Sequence, residues 1–320
     1  MNRRTVFFMA AALTALATPS LSWAAWPDKP LRIVVPFPPG GGVDVLARLV
    51  GSKLSPLLGQ PVVIENKPGA DTQIGTAAVA QAAPDGYTIG LLTSGFSVNK
   101  ALYPNLSYDA AKDFTPIAGL VTSPFYVVTW PQHEARDLPS LIRYGKANPG
   151  KLNYSTSSAD AFLAGELLKK MSGMDSVHVR YKGTPPSMMA VMTGEATYSF
   201  FTLTGIKPQV DSGKLRVVAV TAPKRTAQMP DVPTVAEQGL PGYEIVGWFG
   251  FIGPGKLPAE VVARLNDAIG QIVQMPDVRE RIDALGATPL RQTPQEFNSF
   301  LQAEFVKYGN LVKENKLRAE

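Results

Sequence analysis

The sequence predicts an α/β fold with two lobes. Strand-like and helix-like segments alternate along the chain, which is the pattern of sheets flanked by helices. The chain has 320 residues, which is more than one hydrophobic core usually serves, and two long apolar segments are placed to cross between two halves. Its 45% hydrophobic and 18% charged residues are typical of a globular protein.

The alternation starts near residue 31. Residues 31–36 form an apolar, β-branched run typical of a buried strand, and the glycine-rich residues 38–42 end it. Apolar residues then recur at helical spacing from Val43 to Leu57. Later segments are predicted in the same way as strands (61–66, 87–93, 125–130, 152–154, 177–181, 197–202, 215–221 and 244–252) and helices (74–83, 138–147, 162–171, 258–273, 276–285 and 294–313), with further helices between the strands of the second half. Such alternation predicts a mixed, mostly parallel sheet in each lobe.

The two long apolar segments set the predicted lobe boundaries. Residues 116–130 and 244–254 are the candidates for crossing between the lobes. Two crossings make the first lobe discontinuous, with residues 26–123 and 247–320, and place residues 124–246 in the second lobe.

The N-terminus has the pattern of an export signal. Arg3 and Arg4 give a basic start, residues 6–16 are largely apolar, and residues 22–24 form a small-x-small cleavage site. A largely apolar run of eleven residues, interrupted by Thr14, is too short to span a bilayer, which takes about 20. Residues 1–25 are therefore predicted to be a removed signal peptide.

Composition argues against several classes of function. The net charge is +5, without a run of basic residues, so no nucleic-acid partner is expected. The chain has no cysteine, and His133 and His178 are its only histidines. No nucleophile elbow and no metal-ligand spacing is visible, so we expect no catalytic residue, no metal and no cofactor.

The strongest candidate for a binding site is the glycine-rich segment before the first helix. Glycine lets main-chain N–H groups approach a ligand, and a helix start adds partial positive charge that suits a carboxylate. Residues 155–158 (STSS) repeat the strand, loop and helix order in the other half. The loops at residues 71–72 and 93–97 also follow strands, where ligands of open sheets bind. The alternatives are a plain strand-to-helix turn, ordinary N-caps and solvated loops.

Seven motifs in order carry a family resemblance. They are residues 26–30 (WPDKP), 35–41 (VPFPPGG), 65–70 (ENKPGA), 83–88 (APDGYT), 178–183 (HVRYKG), 232–239 (VPTVAEQG) and 247–250 (GWFG). With them the mature chain resembles the substrate receptors of tripartite tricarboxylate transporters, also called Bug receptors.

The resemblance implies a periplasmic binding protein of the type II-like class that closes on a small organic carboxylate between its lobes and catalyses nothing. It implies a location in the periplasm and a partner, a permease with one large and one small subunit; the receptor itself is expected to be a monomer. In the family, the loop at residues 37–41 and the loop at residues 155–158 hold the carboxylate. The expected ligand-binding residues are Phe37, Pro38, Pro39, Gly40, Gly41, Asp71, Thr72, Ser94, Phe96, Ser97, Ser155, Thr156, Ser157, Ser158, Thr197, Phe201 and Thr202.

Three departures from the family pattern bear on the ligand. Asp71 and Thr72 replace a Gly-Gly pair, Phe96 and Ser97 stand after the third strand, and Thr197 replaces an aspartate. Aromatic rings at Phe96, Phe201 or Tyr198 favour an aromatic carboxylate such as terephthalate; the alternative is that these rings are core.

Other ligands and other functions stay open on the sequence. An aliphatic di- or tricarboxylate or an acidic amino acid is the alternative ligand. A sensor for a membrane kinase is the alternative role. A secreted hydrolase, using Asp71 beside a serine, is a further alternative.

Overall fold

The computed structural model describes residues 26–318, so the predicted signal peptide lies outside the described residues. Its strands are β1 (Leu31–Val35), β2 (Val62–Asn66), β3 (Thr88–Thr93), β4 (Phe114–Thr129), β5 (Asn153–Thr156), β6 (Val177–Arg180), β7 (Tyr198–Thr202), β8 (Arg216–Val220), β9 (Val246–Pro254) and β10 (Thr288–Pro289). Its helices are α1 (Gly42–Leu58), α2 (Gln73–Ala80), α3 (Gly95–Leu102), α4 (Leu138–Ala147), α5 (Ala159–Ser172), α6 (Thr184–Thr193), α7 (Leu203–Asp211), α8 (Ala259–Ile272), α9 (Pro276–Ala284) and α10 (Pro294–Glu314).

The first sheet has the strand order β2-β1-β3-β9-β4-β10. β1 pairs in parallel with β2 and β3, as the alternation of strands and helices predicts. The later strands pair antiparallel, β9 with β3 and β4, and β10 with the other edge of β4. The sheet is therefore mixed. The chain returns to it at β9, after the residues between β4 and β9 have formed the rest of the second sheet.

The second sheet has the order β8-β4-β7-β5-β6, and it shares β4 with the first. β5 is parallel to β6 and β7, whereas β4 is antiparallel to β7 and β8. β4 pairs with β9 as far as Pro124 and with β7 from Phe125 onward. One continuous 16-residue strand thus serves both sheets. Each sheet with its helices forms one lobe.

Helices cover both faces of each sheet. In the first lobe, Leu31, Ile33 and Val35 point to the side of α1, α8 and α9, while Val34 points to the side of α2, α3 and α10. This is the two-residue period of a strand buried on both faces. Each such side chain contributes about 1.5–3 kcal/mol by leaving water. In the second lobe α4 and α5 cover one face, and α6 and α7 cover the other.

The C-terminal helix α10 contacts both lobes. Phe297 and Leu301 pack in the first lobe, but Tyr308 and Val312, three turns later, join the cluster that contains α5. The Tyr308 hydroxyl also donates a hydrogen bond to the main-chain oxygen of Val246, at the start of β9. No helix among residues 26–318 is both long and apolar enough to cross a membrane.

Two local predictions need correction. Residues 95–97 were expected in a loop, but they begin α3, because the apolar residues Phe96 and Val98 gain a core position from helical geometry. Ser155 and Thr156 were expected in a loop as well, but they belong to β5, where they are fully or almost fully buried.

Candidate ligand-binding cleft

A cavity lies between the lobes at the starts of four helices. Its volume, including the open mouth, is about 590 Å³. Its wall consists of Phe37, Pro38, Gly41, Gly42, Val43, Thr93, Phe125, Ser157, Ser158, Asp160, Thr184, Pro185, Phe200, Phe201, Thr202, Gly205 and Phe249. Residues from the first turn of α1, α5, α6 and α7, or directly before it, are in this wall.

These four helix starts are open at their N-cap residues. In the described chain, Gly41, Ser158, Gly183 and Thr202 each lack a side-chain hydrogen bond that would cap the helix. Ser158 and Thr202 have suitable hydroxyls but bond Asp160 and Thr204 instead. Since the first N–H groups of a helix have no partner inside it, an anion in the cavity would meet both N–H donors and the positive ends of helix dipoles.

The starts of α1 and α7 touch across the cleft. A Cβ atom on Gly42 would lie 2.6 Å from Oγ1 of Thr204 and 3.3 Å from the main-chain nitrogen of Gly205. A Cβ on Gly183 would likewise lie 2.7 Å from the ring of Pro38. The lobes are therefore in close contact around the cavity, and glycine is needed where they meet.

Asp44 holds the loop before α1 in place. Its buried carboxylate accepts hydrogen bonds from the Gly40 N–H at 3.0 Å, from the Arg48 guanidinium at 2.9 and 3.0 Å, and from the Asn66 amide at 3.0 Å. Burial alone would raise the pKa of Asp44, but these hydrogen bonds, from Arg48 most of all, outweigh burial and lower it. The Gly40 N–H is consequently engaged within the protein and does not face the cavity.

The remaining wall is apolar and aromatic. Five phenylalanines contribute to it: Phe37, Phe125, Phe200, Phe201 and Phe249. No lysine, arginine or histidine lines this cavity within the described residues. Main-chain donors and helix dipoles must therefore supply the attraction for an anion, and the rings would contact an apolar part of the ligand.

Seven of the predicted ligand-binding residues lie in the cavity wall. They are Phe37, Pro38, Gly41, Ser157, Ser158, Phe201 and Thr202. Their contact with a ligand stays a prediction. The structure does not bring Pro39, Gly40, Asp71, Thr72, Ser94, Phe96, Ser97, Ser155, Thr156 or Thr197 to this wall.

Some predicted residues are absent from the wall because they are core. Phe96 packs among the rings of Tyr108, Phe114 and Phe305, with centroids 5.0–6.3 Å away. Ser97 is fully buried beside it. Tyr198 stacks on Tyr154 at 5.4 Å and is likewise fully buried. Of the three rings suggested for an aromatic ligand, Phe201 alone lies in the cavity wall.

Other predicted residues use their polar groups inside the second lobe. The Ser155 hydroxyl donates to the Ser187 main-chain oxygen, and the Thr156 hydroxyl lies 2.7 Å from Nε2 of His178. Thr197 precedes β7, at the end away from Thr202, and its hydroxyl donates to the Asn153 side chain.

Other residues of the wall were not among the expected ligand-binding residues, although Gly42 and Thr93 belong to the segments at residues 38–42 and 93–97. They are Gly42, Val43, Thr93, Phe125, Asp160, Thr184, Pro185, Phe200, Gly205 and Phe249. Pro185 and Pro186 follow Gly183, and proline at the first positions is a usual mark of a helix start. That signal would have found α6. Asp160 lies in the first turn of α5, and an acidic residue there is likewise a usual mark of a helix start.

Asp71 bridges the lobes outside the cavity. Its Oδ2 atom lies 2.9 Å from Nη1 of Arg180 and accepts a hydrogen bond from the Tyr103 hydroxyl. Burial raises the pKa of Tyr103, and the hydrogen bond to Asp71 raises it further. Asp71 is thus matched by a cation of the other lobe, and Thr72 beside it accepts a hydrogen bond from Asn99.

We expect this ion pair to stabilise the closed state modestly. Asp71→Asn and Arg180→Gln should each reduce ligand affinity about threefold to tenfold, because Arg180 is partly solvated, and the double variant should lose little more than either single one. Isothermal titration calorimetry measures the three affinities. Lys112→Gln, which removes an exposed ion pair within the first lobe, is the control. Additive losses in the double variant would contradict the coupling.

Two lobes around a cleft that helix starts line are the architecture of a receptor that binds a solute. Solved structures agree with this class. The periplasmic binding protein BugD has a TM-score of 0.88 at 32% identity, covering 92% of this chain and 100% of its own. A protein of R. palustris solved with adipate has a TM-score of 0.88 at 32% identity, with 92% and 99% covered. MatC from Rhodopseudomonas palustris, with bound malate, has a TM-score of 0.86 at 32% identity, with 90% and 100% covered.

Residues 46–317 match the family described as tripartite tricarboxylate transporter family receptor. The chain belongs to this family, as the seven motifs predicted. It is a solute-binding receptor of the periplasmic binding protein fold, from a family that serves tripartite transporters.

Proposed function

We propose that this receptor captures a small organic carboxylate by closing its lobes on it. The observation that carries the proposal is that the starts of α1, α6 and α7, which have no unpaired acidic side chain in their first turn, converge on one cavity. The starts of α1 and α7 come from different lobes and touch there, and no cationic side chain of the described residues lines the cavity. Such a cavity favours a negatively charged group held by N–H donors. Relatives solved with adipate and with malate bind carboxylates of this kind.

The ligand is proposed to have an apolar body. Five phenylalanines in the wall support this, because they would cover carbon atoms and exclude water around the carboxylate. An aromatic carboxylate such as terephthalate and an aliphatic one such as adipate both have this character. Phe37, Pro38 and Gly41 would contact the ligand from the first lobe, and Ser157, Ser158, Phe201 and Thr202 from the second.

The lobe boundaries are proposed at residues 123/124 and 246/247. The change of partner of β4 between Pro124 and Phe125, and the start of β9 at Val246, support a hinge there. We further propose that residues 1–25 direct export to the periplasm, and that the closed, monomeric receptor delivers its ligand to a permease with one large and one small subunit.

A direct binding experiment tests the function. Mass spectrometry of ligand released from freshly purified protein identifies a candidate, and calorimetry with that compound measures its affinity. We expect a carboxylate that binds saturably and, at a hundred times its Kd, stabilises the fold by about 2.7 kcal/mol. A folded protein that shows no thermal shift with any member of a broad carboxylate panel would contradict the proposal.

A further inference from the structure

Asp160 places a buried carboxylate in the wall of the cavity. It belongs to the first turn of α5 and is 3% exposed. In the described chain no lysine or arginine forms an ion pair with it, unlike Asp44 and Asp71. A carboxylate is costly to bury, and this one is stabilised by hydrogen bonds and by the α5 helix start alone.

The hydrogen bonds of Asp160 fix the direction of the hydroxyls around it. Its Oδ2 atom accepts from the Ser94 hydroxyl of the first lobe at 2.5 Å, and its Oδ1 atom accepts from the Ser158 hydroxyl and from the Ala161 N–H. Each serine has one hydroxyl proton, which is used here on Asp160. Towards a ligand the oxygen of Ser158, which lies in the wall, can therefore only accept, so Asp160 and Ser158 form an acceptor region.

The rest of the cavity wall has the opposite character. The starts of α6 and α7 carry no acidic residue in their first turn, and the acidic residue of α1, Asp44, is paired with Arg48. The starts of α1 and α7 meet where Gly42 contacts Thr204. Asp160 lies elsewhere in the wall, beside Ser94 and Gly95 at the start of α3. The wall thus has a donor region for an anion and a separate acceptor region.

We infer that Asp160 selects a carboxylate ligand that also carries a hydrogen-bond donor, such as an amide, hydroxyl or ammonium group, over a plain dicarboxylate. This inference rests on the proposed function and narrows its ligand class. A second ionised carboxylate would face Asp160, and like charges in a buried site repel each other. A donor group would instead hydrogen-bond to the lone pairs of the Asp160 carboxylate that Ser94, Ser158 and Ala161 do not use.

Matched pairs of ligands test the inference. Succinate, adipate and terephthalate are each compared by calorimetry with their monoamides, which keep one carboxylate and the same size and replace the other by a donor. We expect a monoamide to bind at least tenfold more tightly than its dicarboxylate. Asp160→Asn, which removes the charge and keeps the shape, should reduce that ratio to threefold or less. Asp267→Asn, an exposed change of the same charge on α8, should leave the ratio unchanged.

The outcomes separate this inference from the proposed function. Equal affinities for the two members of a pair, or an unchanged ratio in Asp160→Asn, overturn the selective role of Asp160 and leave carboxylate binding intact. Equal weakening of both members in Asp160→Asn also overturns it, because Asp160 would then act only through its bond to Ser94. If a folded protein binds no member of any pair, the inference is overturned, and the proposed function fails with it only if the broad carboxylate panel gives no thermal shift either.

Discussion

Replacing Gly42 with valine is expected to reduce affinity for a carboxylate about a hundredfold while the chain still folds. A Cβ at this position would lie 2.6 Å from Oγ1 and 2.9 Å from Cβ of Thr204, closer than van der Waals contact allows. Thr204 has little freedom to move away, since its hydroxyl is bonded to that of Thr202 at 2.7 Å. Overpacking of this kind costs about 1–3 kcal/mol, which corresponds at its upper end to roughly a hundredfold in affinity.

Gly205→Ala is the matched control on the other side of the same contact. Its Cβ would lie 3.4 Å from Thr184 and 3.9 Å from the Gly42 nitrogen, which are ordinary contacts. We expect this variant to lose less than threefold in affinity. Calorimetry gives the affinities, and small-angle X-ray scattering with saturating ligand should show Gly42→Val more extended than the wild type. Wild-type affinity in Gly42→Val would exclude this contact from the closed, liganded state.

Replacing Asp44 with alanine is expected to lower the free energy of unfolding by about 2–3 kcal/mol. The change leaves the Gly40 N–H and the Asn66 amide without their acceptor and the Arg48 guanidinium without its carboxylate. Removing one partner of a buried, charged hydrogen-bond network costs this much, with some relief because Arg48 is half-exposed. Urea denaturation of both proteins measures the difference.

The contribution of Asp44 should also depend on pH. Its pKa is lowered in the folded chain, so the carboxylate stabilises the fold fully above the ordinary aspartate pKa of about 4. As pH falls from there through the lowered native pKa, the wild type should lose its advantage over Asp44→Ala. Asp211→Ala breaks an exposed pair at the same i, i+4 spacing, and it should cost less than about 1 kcal/mol. Equal losses in both variants at neutral pH would contradict the special role of Asp44.

Much of the fold could be predicted because its signals are local. The strand at residues 31–35 shows as a β-branched apolar run, and helix α4 was placed at residues 138–147 by its apolar spacing. The two long apolar segments coincide with β4 and β9, of which β4 is shared by both sheets. Helix α3 was missed because it has only eight residues and because two of its polar residues, Ser97 and Asn99, are buried with its apolar ones.

The cavity could be predicted only where a motif marks it. Phe37, Gly41 and Ser158 were found because their loops stand between a strand and a helix. Gly205 and Thr204 could not be found in this way, since their importance comes from contact with Gly42, which is more than 160 residues away in sequence.

Asp71 was the harder case. The sequence showed that Asp71 stands where the family has glycine. The orientation of the Asp71 side chain depends on Arg180, which lies in the other lobe. Local patterns carry no information about such contacts, because they arise only when the two sheets are placed against each other.

The continuity of β4 has a consequence for how such a receptor can change over time. One unbroken strand, β4, leaves β9 at Pro124 and joins β7 at Phe125. In the proposed hinge, the lobes would therefore open by a twist of β4 at this point, which is called the fulcrum, while the strand pairing on each side stays intact. The fulcrum residues do not line the wall that meets the ligand, apart from Phe125. Affinity and ligand specificity can therefore change separately, the first by substitutions where β4 passes between the sheets and the second by substitutions in the cavity wall.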